Sequence, residues 1–163
     1  MDVSTFYALF SATCFTLTGL WWGVVERHRE WVTEQAMRRR VGSVYAAFLL
    51  PALMGLFAQV GGAETPGFWR VSFVVLAAVG CFGTVRLLRA SRNDPDAGAV
   101  ARFWWVSVVV YAVIAVIGVA PEIARSVGVT PLQAEATLLI LLVALAHALV
   151  WEFMTREAGP EPS

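Results

Sequence analysis

The first apolar segment of the chain carries side chains that could line a hydrated path. Its second half reads SATCFTLTGLWWGVV, with hydroxyls and a thiol placed among apolar residues. On a helix of about 3.6 residues per turn, these side chains form one polar stripe. The stripe consists of Ser4, Ser11, Thr18 and Trp22, with Cys14 on its flank. Such a stripe either packs against a neighbouring helix or lines a water-filled pore, which would need several copies of this helix around one axis.

Three ionisable residues, Glu135, His147 and Glu152, lie in the last apolar segment, where an unpaired charge is costly and therefore marks a partner or a pathway. His147 is a candidate pH-sensitive or ion-contacting group, because an imidazole changes charge near neutral pH. The alternative for His147 is a neutral ring bonded to a neighbouring helix. Glu135 lies in the first turn of the segment, where the helix dipole and outside water favour a carboxylate. We therefore expect a structural role for Glu135.

A charged run follows the first segment. Its sequence, ERHREWVTEQAMRRR, contains no glycine or proline. This predicts that the first helix continues past the membrane as an extension over residues 26–40 and turns near Val41. Arg38, Arg39 and Arg40 at the end of the run are candidates for binding anionic lipid or a partner protein.

The residue inventory argues against catalysis. Cys14 and Cys81 both fall inside apolar segments and form no CxxC pair, so we expect neither a dithiol redox centre nor a thiolate metal site. His147 is the single histidine within a span, whereas a membrane haem held by two histidines needs two. The metalloprotease pattern HExxH, the hydrolase pattern GxSxG and phosphate-binding glycine loops do not occur in the sequence. We expect no enzyme activity, no metal and no other cofactor.

Composition indicates that the chain folds in lipid. Its 163 residues are 58% hydrophobic and 15% charged, with a mean hydropathy of +0.68. These values are too apolar for a water-soluble domain of this length. All 12 basic residues are arginine, and the formal net charge is zero. Their uneven distribution indicates membrane topology rather than nucleic-acid binding.

Five apolar stretches are long enough to cross a hydrocarbon core of about 30 Å as helices. They lie at residues 3–25, 41–60, 68–85, 103–120 and 132–153. These spans predict an all-α, polytopic membrane bundle. It forms one transmembrane domain over residues 1–157, followed by a short disordered tail at 158–163. Thr130 and Gln133 are placed as the N-cap and the capping-box partner of the last helix.

The placement of arginine predicts the orientation of the bundle. Ten of the 12 arginines lie in the connections after the first and third spans or after the fifth span, and only Arg70 and Arg125 lie on the opposite side. Short loops rich in arginine stay in the cytoplasm. With five spans, this rule places the N-terminus outside and the C-terminus in the cytoplasm, in a multi-pass protein of the cell membrane.

Tryptophans near the span ends and small residues within the spans have common roles in membrane proteins. Trp21, Trp22 and Trp69 lie near span ends, where indole rings favour the headgroup boundary. Gly80 and Gly118 belong to small-residue faces through which helices approach closely. We interpret the tryptophans as anchors and the glycines as packing positions.

Two functions from different classes fit this sequence. The first is a homo-oligomeric channel or permease-like pore for an ion or small solute, lined by the polar stripe of the first helix. The second is a scaffold or accessory subunit that packs against a partner membrane protein and transports nothing. Both place the chain in the lipid bilayer.

Overall fold

The computed structural model describes residues 2–61, 65–91 and 99–157, and the regular structure in these ranges is entirely helical. This confirms the predicted all-α class. A 3-10 turn at Arg29–Val32 separates the first two of six α-helices. The helices are α1 Val3–Arg27, α2 Gln35–Gly61, α3 Pro66–Ser91, α4 Ala99–Val119, α5 Glu122–Ser126 and α6 Pro131–Glu157. The tail predicted for residues 158–163 lies outside the described residues.

The long helices have the length and composition of membrane spans. Four of them, α1, α2, α3 and α6, are apolar enough over at least 18 residues to cross a bilayer, and α4 contributes a shorter apolar segment, Trp105–Val119. Four predicted spans fall within the four long helices, and the span predicted at 103–120 corresponds to α4. The chain is a helical bundle of an integral membrane protein.

Four helices form a closed ring. Helix α2 packs against α3, α3 against α4, α4 against α6, and α6 against α2. Among the described residues, neither diagonal pair, α2 with α4 or α3 with α6, makes a contact. Helix α1 lies outside this four-helix ring, against α2 and, over a smaller surface, against α6.

The two ends of the bundle are packed differently. At the end that holds the start of α6, here called the Glu135 end, large side chains from α1 and all four ring helices fill the centre. They include Tyr7, Met54, Phe73, Ile114 and Leu139. At the opposite, arginine-rich end, the second core of the described residues joins only α1, the 3-10 turn, α2 and α6. The space between the ring helices is therefore less filled at the arginine-rich end.

The predicted extension at 26–40 is divided in the structure. Helix α1 ends at Arg27, and residues 35–40 belong to α2 instead. The reason is Trp31, which is buried between His28, stacked on it with ring centroids 4.2 Å apart, and Phe153 of α6. Reaching that site requires the chain to turn.

Glu30 lies in this turn. A hydrogen bond from the backbone amide of Glu30 to its own carboxylate, together with the His28 ring, holds the pKa of Glu30 below its ordinary value.

Close contacts between α3 and α4 occur where glycine was predicted to permit them. A Cβ atom at Gly80 would lie 2.5 Å from the ring of Tyr111. A Cβ atom at Gly118 would lie 2.8 Å from Cγ2 of Val74. Arg70 reinforces the same pair of helices, because its Nε and an Nη donate to the carbonyls of Gly118 and Val119 at 2.8 and 2.7 Å. These carbonyls end α4 and would otherwise lack a partner.

The tryptophans do not all act as anchors. Trp22 is 53% exposed at a span end, as predicted, but Trp21 is only 4% exposed. The indole of Trp21 donates to the carbonyl of Val41 at 3.2 Å and packs edge-on against Phe153. Trp69 is also buried, against Phe73. The anchoring interpretation is therefore corrected for Trp21 and Trp69, which hold the bundle together.

Candidate functional site

The under-filled end of the four-helix ring contains a pocket of about 350 Å³. All four ring helices contribute to its wall, and small residues dominate it. The small wall residues include Ala46, Ala47, Gly80, Gly83, Ala146 and Ala148. Because these side chains are short, the ring helices enclose space that larger residues fill at the Glu135 end.

The polar side chains in the pocket wall are hydroxyls, from Ser43, Thr84, Ser107 and Tyr111. Thr84 and Ser43 line it, but each donates its hydroxyl hydrogen to a carbonyl of its own helix, Gly80 and Arg40 respectively. Their oxygens are therefore left as acceptors. Tyr111 also lines the pocket, and its hydroxyl bonds to none of the described residues. The contact with Gly80 fixes the Tyr111 ring, so this hydroxyl is a positioned donor and acceptor.

The other notable group, Glu135, is buried at the packed end. Its side chain is 0% exposed, and neither carboxylate oxygen has a hydrogen-bond partner among the described residues. This corrects the expectation of a carboxylate exposed to water. The periodicity of α6 accounts for it, since Glu135 shares one face of the helix with the buried Leu139, Leu142 and Ala146.

Tyr7 of α1 lies beside Glu135. The Tyr7 hydroxyl donates to the carbonyl of Leu132, in the first turn of α6, at 2.8 Å. The Glu135 carboxyl interacts electrostatically with Tyr7 but forms no hydrogen bond with it. A phenol and a carboxyl are thus buried in the same part of the bundle, where the bond from Tyr7 to Leu132 joins α1 to α6.

The polar stripe of α1 is divided by the packing. Ser11, Cys14 and Thr18 are buried on the face that meets α2, whereas Ser4 and Trp22 are exposed. The hydroxyl of Thr18 donates to the carbonyl of Cys14 at 2.8 Å.

Ser11 makes the closest approach to α2. Its oxygen lies so close to Gly55 that a Cβ atom there would overlap it. The Ser11 hydroxyl has no hydrogen-bond partner among the described residues. The three buried positions of the candidate pore thus contact a neighbouring helix within a single chain.

His147 lies on the outside of the four-helix ring. Its side chain is exposed, and Nδ1 donates to the carbonyl of Val143, one turn earlier, at 2.8 Å. The imidazole ring of His147 packs edge-on against Phe48. His147 is not part of the pocket wall. A pH-sensitive or ion-contacting role for it stays a prediction.

The arginine cluster lies at the first turns of α2. Arg38, Arg39 and Arg40 are all exposed at the arginine-rich end of the bundle. Their position is compatible with contact to headgroups or to a protein, and their binding role stays a prediction.

Comparison with known proteins adds no family assignment. No family model, curated protein or solved structure matches the chain. Among the described residues, no three His, Cys, Asp or Glu side chains are grouped to hold a metal ion.

Tyr7 and Tyr111 were not predicted from the sequence as notable residues, and for Glu135 only a structural role was expected. The available signal was the spacing of Glu135 from Leu139 and Leu142, which places a charge on one helical face with two leucines. That signal is weak in α6 because apolar residues surround the whole helix.

Proposed function

We propose that this chain is a permease-like membrane protein that binds a small, mainly apolar solute in the pocket of the four-helix ring. The observation that carries the proposal is a pocket walled by four helices at one end of a bundle that is tightly packed at the other. A carrier needs this asymmetry, because its binding site must open to one side while the other side is closed.

The size and lining of the pocket define the solute class. A volume of about 350 Å³ is at the lower limit for small-molecule sites, which measure about 300–1,000 Å³ and combine an apolar wall with few polar groups. The hydroxyls of Tyr111, Thr84 and Ser43 can bond one polar group of the solute. The best match is a small aromatic or aliphatic molecule with a single hydroxyl or amine.

The packing of α1 favours this arrangement over a pore lined by the first helix. Ser11, Cys14 and Thr18 would have to leave α2 before they could face a shared axis. A binding site inside one chain requires no such separation and no oligomer.

Solute binding is tested by thermal unfolding of the protein in lipid nanodiscs with a panel of phenols, indoles and short-chain amines. A solute at about 100 times its Kd stabilises the folded state by about 2.7 kcal/mol. We expect at least one member of the panel to raise the midpoint of the wild type. Gly83→Leu should abolish the shift, because Gly83 lines the pocket and a Cβ atom there would have no other atom within 4 Å, which leaves room for the new side chain to occupy the pocket.

The matched control is Gly19→Leu. A Cβ atom at Gly19 would also have no other atom within 4 Å, but this glycine lies on α1, away from the pocket. Its variant should keep the solute-induced shift. A panel without any stabilising member would favour the scaffold or accessory-subunit alternative. Binding without uptake into proteoliposomes would refute the permease role while leaving the pocket a ligand site.

We also propose that the arginine-rich end faces the cytoplasm. The arginine count supports this orientation, and the bonds from Arg70 to α4 account for one of the two exceptions. Single cysteines introduced at Ser126 and Glu34, both exposed, test it in a background with Cys14→Ser and Cys81→Ser. An impermeant maleimide added to intact cells should label the cysteine at position 126 only. Labelling at position 34 alone would reverse the orientation.

A further inference from the structure

We propose that Glu135 is a proton-binding site, held as a neutral carboxylic acid in the closed bundle, in the same first turns of α6 that Tyr7 of α1 contacts. This inference does not depend on the solute pocket, because Glu135 is not part of the pocket wall. The ligand is a proton from water at the Glu135 end.

The burial of Glu135 is the first observation that supports this proposal. The carboxyl is fully buried, and both oxygens lack a hydrogen-bond partner within the described ranges. An ionised carboxylate in that state costs several kcal/mol, which a protein avoids by pairing the charge or by protonating the group. Pairing is not observed among the described residues, so protonation is the remaining means of neutralisation.

The charged groups around Glu135 are the second observation that supports this proposal. Helices α1, α2, α4 and α5 pack against α6, and none brings a cation to Glu135 in the part of the chain that the structure describes. Tyr7 is a titratable group that interacts electrostatically with Glu135. The remaining titratable groups on these elements near the Glu135 end are exposed: Asp2 on α1, and Glu122 and Arg125 on α5. Helix α2 carries its titratable side chains at the arginine-rich end, and Tyr111 of α4 lines the pocket.

A metal ion fits this site less well than a proton. Coordination of a hard cation requires several oxygen ligands around an open space. Glu135 is enclosed by core side chains, and the oxygen of Tyr7 is already oriented by its bond to Leu132. A proton neutralises the carboxyl without any further ligand, so the acid can stay among apolar side chains.

The proton exchange is coupled to the contact between α1 and α6. When the Glu135 end opens, water reaches the carboxyl, its O–H bond breaks, and the proton passes to water as hydronium. The carboxylate that remains cannot return to the apolar core until it recovers a proton. The closed state thus binds one more proton than the open state, so the closed state loses stability as the pH rises.

Infrared spectroscopy of the protein in lipid tests the proposal directly. The wild type at neutral pH should show the carbonyl stretch of a protonated carboxylic acid, and Glu135→Gln should lose it. Glu122→Gln is the matched control, since Glu122 is exposed at the same end, and it should keep the band. Tyr7→Phe should also keep the band, because the Tyr7 hydroxyl bonds to Leu132 and not to Glu135.

Thermal unfolding against pH gives a second measurement. The wild type should lose stability as the pH rises above about 4.3, the ordinary pKa of an exposed glutamate, and Glu135→Gln should lack this dependence. If Glu135→Gln does not fold, Glu135→Asp should keep the acid band but shift it. A wild-type spectrum without the band at neutral pH would overturn the proposal, as would stabilisation by sodium or potassium ions in place of protons.

Discussion

Replacing Gly80 with leucine is expected to lower the free energy of unfolding by about 1–3 kcal/mol, the usual cost of inserting volume into a packed interior. A Cβ atom at this position would lie 2.5 Å from two atoms of the Tyr111 ring. The ring cannot retreat easily, since it belongs to the core of the Glu135 end and is 4% exposed. Helices α3 and α4 would therefore have to separate. Unfolding in mixed micelles, followed by circular dichroism, measures the loss.

The comparison variant for this prediction is Gly83→Leu, one turn further along α3. No atom lies within 4 Å of a Cβ position at Gly83, so leucine there should cost little and should gain helix propensity. The informative quantity is the change in unfolding free energy caused by Gly80→Leu relative to that caused by Gly83→Leu. Equal stability of the two variants would mean that α3 and α4 do not meet through Gly80 and Tyr111.

Replacing Gly55 with alanine should also destabilise the bundle by about 1–3 kcal/mol, through the contact between α1 and α2. The added methyl would overlap Oγ of Ser11 and lie 3.4 Å from the ring of Phe10. Ser11→Ala alone should be neutral or slightly stabilising, because the hydroxyl that it removes is buried without a partner among the described residues.

A double-mutant cycle separates this contact from general effects. Because Ser11 supplies the overlapping atom, the Ser11→Ala, Gly55→Ala pair should recover part of the loss, with a coupling energy of about 0.5–3 kcal/mol. Gly42→Ala on the same helix is the control, since its Cβ position is open and alanine favours the helix. Additive effects of Ser11→Ala and Gly55→Ala would show that the two residues do not touch, and would return Ser11 to the pore hypothesis.

Local chemistry made part of the fold predictable. Thr130 and Gln133 form the predicted capping box, with backbone amides donating to the partner side chains at 3.1 and 3.3 Å. All the information for this motif lies within four residues. The glycines at 80 and 118 were predictable for a related reason, because a missing side chain permits close approach whichever helix is the neighbour.

The burial of individual side chains depends on long-range packing and could not be predicted from the sequence. Trp21 and Trp22 are adjacent and chemically identical, yet one is buried and the other exposed. Which of them faces inward depends on where α2 and α6 lie. Glu135 is a similar case, since the dipole argument described only the first turn of α6 and not the helices around it. The turn at Trp31 depends in the same way on Phe153, which lies far along the chain in α6.

The order in which the ring helices are synthesised has a consequence for Glu135. Contacts of α1 with α2, α2 with α3 and α3 with α4 join neighbours along the chain, and α6 then contacts α4, α2 and α1. During translation the ring cannot close before α6 has left the ribosome. Glu135 therefore enters its buried position in the closing step of biogenesis, when Tyr7 is already in the bilayer.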